Sequence, residues 1–97
     1  MTNEEIWNIG LEERTDELSK LQNEYDRLDV ECRKAEFERD MYARLRDVNN
    51  AMLYKQKFSE KYEKCARASE KLTKQKNALE NEISVLKKEI YYINSLM

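Results

Sequence analysis

RDVNNAML, residues 46–53, lies at the midpoint of a 97-residue chain and holds its only adjacent asparagines. If this octet turns, the chain folds back as a helical hairpin. If it stays helical, the protein is one long helix that must find its partner elsewhere. Asparagine tolerates left-handed backbone angles, which favours a turn. Helix–helix connections, however, usually carry glycine, proline or several turn formers, and here Val48, Ala51, Met52 and Leu53 leave no polar loop. The octet is therefore expected to be uninterrupted helix, with a total length of roughly 140 Å at 1.5 Å per residue. The alternative is an antiparallel hairpin or antiparallel dimer. A turn centred after Val48 would set Leu18 against Leu79, Leu11 against Leu86 and Cys32 against Cys65. It would also set Arg14 against Ile83 and Lys76 against Leu21.

Composition agrees with an all-α chain. Charged residues make up 39% of it, with one glycine, no proline and no histidine. Turns depend on glycine and proline, and such a balance is typical of long helices and coiled coils. Large apolar residues recur regularly, unlike in disordered segments. Residues 1–50 carry 14 acids and 8 bases, and residues 51–97 carry 6 acids and 10 bases. The halves are thus −6 and +4. Bases between Lys55 and Lys76 are interleaved with Glu60, Glu63 and Glu70, the pattern of a solvated helix face rather than a nucleic-acid stripe.

The C-terminal stretch 58–97 carries the clearest repeat. Phe58, Tyr62, Cys65, Ser69, Leu72, Lys76, Leu79, Ile83, Leu86, Ile90, Ile93 and Met97 alternate spacings of four and three. In heptad terms Tyr62, Ile83 and Ile90 fall at a, and Phe58, Cys65, Leu72, Leu79, Leu86 and Ile93 at d. A 3.5-residue period keeps one stripe facing a partner helix. Isoleucine at a with leucine at d favours parallel two-stranded coils. Lys76 at a is costly, although its stem can carry the ammonium out of a narrow seam.

The N-terminal stretch 1–35 has its own frame. Leu11, Leu18, Tyr25 and Cys32 occupy a, and Leu21, Leu28 and Ala35 occupy d, with Arg14 interrupting. Thr2 and Glu5 form a capping-box pattern, and Gly10 weakens the first turns by about 1 kcal/mol. Glu17, Glu24, Glu31 and Glu38 line g, while Asp29 and Glu36 sit at e. In a parallel homodimer Glu24 would meet Asp29 and Glu31 would meet Glu36, both repulsive. Between the two frames, residues 36–57 form a region of shifted phase. There Phe37, Met41, Leu45, Val48 and Met52 make a broad apolar belt, with Leu53 beside it.

No catalytic constellation survives inspection. Without histidine, the serine–histidine and cysteine–histidine pairs are excluded. Two cysteines 33 positions apart match no zinc spacing and build no disulfide framework. No metal or other cofactor is expected. No apolar run approaches the roughly 20 residues of a membrane span. The acidic opening MTNEEIWNIGLEER resembles neither a secretory signal nor a transit peptide.

The expectation is a parallel homodimer, serving as a structural dimerisation segment of a larger scaffold, tether or cytoskeleton-associated protein, in a cytoplasmic or cytoskeletal setting. The alternative is a binding module for an adaptor, motor, small GTPase or second coiled coil. Its candidate contacts are Trp7, Glu24, Glu31, Met41, Leu45, Met52 and Leu53. Trp7 qualifies because tryptophan is a frequent interface anchor.

Overall fold

The computed structural model describes residues 1–96, so Met97, placed at a by its spacing, lies outside the described residues. Two long helices account for the regular structure: α1, Asn3–Val48, and α2, Met52–Leu96. The expectation of one uninterrupted helix through residues 46–53 is corrected. The helix stops after Val48 and restarts at Met52. Asn49 explains the interruption. Its side-chain Oδ1 accepts the Ala51 N–H at 3.0 Å, occupying a donor that a continuing helix would need for itself. One residue pair later, Lys55 N–H bonds the Ala51 carbonyl at 3.0 Å and α2 is under way. Among the described residues none has a positive φ. Asn49 thus acts through its side chain and not through left-handed backbone tolerance.

The start of α1 follows the capping pattern. Thr2 Oγ1 accepts the Glu5 N–H at 3.2 Å, and the Thr2 carbonyl accepts from Ile6 at 3.1 Å. Glu4 and Glu5 place negative charge on the first turn, where the helix dipole is positive.

The chain divides into two compact units, each with a segment of both helices. The first comprises Met1–Asp26 and the residues from Asn77 on. Ile83 and Leu86 are buried in it, and Leu11, Leu18, Leu21, Tyr25, Leu79, Ile90 and Ile93 are half-buried. Arg14 Nε donates to Glu89 Oε2 at 3.1 Å. Leu21 shares a groove with Leu86, and Tyr25 shares one with Ile83.

The second unit is Arg27–Lys76. Leu28, Cys32 and Ser69 are buried, and Phe58, Tyr62, Cys65 and Leu72 are half-buried. Lys76 Nζ donates to Asp29 Oδ1 at 2.6 Å. Cys32 Sγ lies 3.4 Å from Thr73 Oγ1, and Cys65 Sγ lies 3.9 Å from Glu38 Oε2. Tyr42 and Phe58 stack with centroids 6.3 Å apart and planes 25° apart.

The register differs from that of a turn centred after Val48. Cys32 meets Thr73 instead of Cys65, a displacement of about two helical turns. Electrostatics supplies the reason. The symmetric register buries Arg14 against Ile83 and Lys76 against Leu21, leaving two seam charges without partners. The observed one gives Arg14 the Glu89 carboxylate and Lys76 the Asp29 carboxylate. An unpaired charge in an apolar seam is among the costlier defects a helix pair can carry.

Candidate interaction surface

Burial along α1 separates an inner stripe from an outer one. The inner stripe keeps its alternating spacing beyond Ala35, through Arg39, Tyr42, Arg46 and Asn49, all half-buried. Two of these are arginines, and neither buries a naked charge. Arg39 Nε donates to Asp40 at 3.0 Å, and Arg46 Nε donates to Asp47 at 3.2 Å. The Asp40 hydrogen bond, and then its charge, hold the Arg39 guanidinium above its ordinary range. The Arg46 guanidinium also lies 5.0 Å from the Tyr62 ring centre, and Lys61 Nζ lies 5.4 Å from that of Tyr42. Cation–π contacts of this kind contribute about 0.5–1 kcal/mol at exposed sites.

With the inner stripe taken by these residues, the apolar belt faces outward. Phe37 is 68% exposed, Val48 74% and Met52 80%. Leu45 sits at the edge of exposure and Met41 is half-buried. Phe37, Met41 and Leu45 line one shallow groove on α1 with Asp40 and Arg44. Val30 extends the same outer row toward the N-terminus, and Leu53 lies exposed beside Met52 on the first turn of α2.

The other candidate contacts are dispersed. Trp7 is partly exposed in the first unit, where it lines a groove with Asn3, Glu4 and Leu96. Glu24 is half-buried. Glu31 is engaged within its own helix by Arg27 Nη1 at 2.8 Å. Of the seven candidates, Met41 and Leu45 share one surface, and Phe37 is the residue missing from that set. Its i, i+4, i+8 relation to the other two was the available signal.

Asp29 is the acidic-flank residue with the most defined role. It binds Lys76 and also takes an ion pair from Arg33 at 3.1 Å. The Lys76 hydrogen bond holds the Asp29 carboxyl below its ordinary value; partial burial opposes this, and the charges of Arg33 and Lys76 assist it. An e-position acid that would repel its counterpart in a parallel homodimer thus neutralises the one lysine in the C-terminal core frame. Among the described residues, no group of three or more metal-ligating side chains is assembled. Among the described residues, no helix is long and apolar enough to cross a membrane. In comparisons with known proteins, the chain matches no family model, no curated protein and no solved structure.

Proposed function

We propose that the chain is a non-catalytic, structural coiled-coil module that closes its seam on itself as an antiparallel hairpin and offers its outer face for assembly. The observation that carries this reading is the Asp29–Lys76 ion pair at 2.6 Å. It joins residues 47 positions apart, which a continuous helix would hold about 70 Å from each other. Three facts support it further. The halves carry −6 and +4, so pairing them is attractive where pairing like halves is not. Arg14 and Glu89 repeat the same logic in the first unit. Asn49 ends α1 by a bond to Ala51 that needs no unusual backbone. A scaffold or tether is the role that suits such a module, because its chemistry lies in paired surfaces.

A parallel homodimer is the second reading. It is favoured by Ile83 and Ile90 at a with Leu79 and Leu86 at d. Spin labels at positions 17 and 85, in protein whose cysteines are replaced by alanine, separate the two. Labelled chains are diluted with unlabelled ones, so only the distance within one chain is read. The hairpin brings the labels to adjacent helices whose axes lie about 10 Å apart. A continuous helix holds them about 100 Å apart. Absence of any short distance would remove the hairpin.

A further inference from the structure

We propose that a second copy of this chain docks antiparallel on the outer face of α1, across Phe37, Met41, Leu45 and Val48, with Met41 near the two-fold axis. The proposal rests on the hairpin reading, in which the inner stripe of α1 is already occupied by α2.

Phe37 and Val48 are more than two-thirds exposed, and they belong to a row rather than to scattered surface positions. Val30, Lys34, Phe37, Met41, Arg44 and Val48 alternate spacings of four and three. That is the seam period of a helix pair, written a second time on the outside of α1. Its four apolar members, Val30, Phe37, Met41 and Val48, share one face with Leu45 beside them, and apolar residues grouped in this way mark an interaction site more often than a solvated face.

The charges on the row identify the occupant. Lys34 lies two helical turns before Met41, and Asp47 lies nearly two turns after it. A second copy running antiparallel about Met41 brings its Asp47 beside Lys34, and its Lys34 beside Asp47, so one contact is made twice. A parallel copy sets Lys34 against Lys34 and Asp47 against Asp47. Arg44 falls opposite Phe37 in the same antiparallel register, a cation over an aromatic face, and that contact also occurs twice. Asp47 is 70% exposed at its side chain and already touches Arg46 through one oxygen, leaving the other for a lysine. Self-complementarity about a two-fold axis is the signature of an isologous interface. Methionine at the axis suits it, since its flexible side chain packs against its own copy without a fixed shape.

Sedimentation equilibrium of the full chain at micromolar concentrations tests the proposal, with helix content followed by circular dichroism. The wild type sediments as a dimer. Phe37→Glu raises the dissociation constant by about thirtyfold or more, as a central anchor should. Its helix content stays unchanged, because Phe37 lies exposed on the outer face. Lys34→Asp weakens the dimer about threefold, and adding Asp47→Lys restores it. A single spin label at position 41 lies next to its own copy, whereas one at position 34 lies about 20 Å along the axis from its copy. A monomeric wild type overturns the proposal and assigns the face to another partner or to solvent. A dimer that Phe37→Glu leaves intact overturns it too, as do equal label distances at 34 and 41. None of these outcomes disturbs the hairpin reading, which fails only if the diluted 17/85 pair shows no short distance.

Discussion

Tyr42 and Phe58 are sixteen positions apart in the sequence. On a continuous helix they would stand about 24 Å apart along the axis, in the same chain or across a parallel dimer. In the structure their rings stack at 6.3 Å. A double-mutant cycle over Tyr42→Ala and Phe58→Ala therefore measures whether the two rings meet, as a reversal of the chain requires. An aromatic pair contributes about 0.5–1.5 kcal/mol beyond its buried area. The long centroid separation and the half-buried setting put this pair near the lower part of that range, about 0.5–1 kcal/mol. Tyr42→Ala alone also loses the Lys61 contact and the apolar area its ring covers. Its total cost is about 2–3 kcal/mol. Phe37→Ala, five residues away on the outer face, should cost well under 1 kcal/mol in protein dilute enough to be monomeric. The assay is reversible urea unfolding followed by helix circular dichroism, with each helix-propensity term cancelling in the cycle. A coupling indistinguishable from zero would show that the two rings never meet, and the intrachain pairing would fall with it.

Leu28 is 5% exposed, and Leu28→Ala removes three buried carbons. The expected loss is about 2–3 kcal/mol, or a fall in Tm of about 10–20 °C; a shift below 3 °C would misplace the seam. Gly10→Ala should stabilise by up to about 1 kcal/mol, since the added methyl makes only ordinary contact with Arg14 Nη1 at 3.5 Å; thermal melts showing a loss would count against helix at this position. Acid titration should reveal Asp29. Its carboxyl is depressed in the folded chain, so its stabilising share is complete above the unfolded value of about 3.9 and disappears as pH falls through the folded value. Asp29→Asn should remove that part of the acid sensitivity, and an unchanged pH profile would argue against the Lys76 bond. Mild oxidation should form no disulfide within a chain. Cys65 lies by Glu38, six positions from Cys32 and about 9 Å further along α1, beyond the span of a disulfide at about 7 Å. Mass spectrometry detecting an intrachain Cys32–Cys65 bond would contradict the register.

The helical character of the chain was readable from composition and residue spacing. Every seam position inferred from the two heptad frames, from Leu11 to Ile93, is buried or half-buried in one unit or the other. Periodicity is a local signal, and it survives whatever the partner is. The interruption at Asn49 was not readable in the same way. Asparagine costs a helix little, and only the bond from the Ala51 amide to the Asn49 side chain reveals that Asn49 ends it. Arg39 and Arg46 take the next positions of the N-terminal frame beyond Ala35, where adjacent aspartates and the Tyr62 ring let two charges sit among apolar residues. Reading them as seam residues would have moved the phase change to Asn49 and turned the apolar belt outward. The Glu89 and Asp29 pairings required knowing which residues cross from helix to helix, and that is a long-range fact.

The linker between α1 and α2 is three residues long, with no positive φ and no cis peptide bond. Straightening it demands the loss of one hydrogen bond, from the Ala51 N–H to Asn49 Oδ1, and no glycine-specific geometry, so the linker itself puts little in the way of two chains opening and trading their C-terminal halves. Each ion pair and stacked ring would then be rebuilt between strangers instead of within one molecule. Protein concentration, rather than sequence, would decide which ledger of contacts is filled.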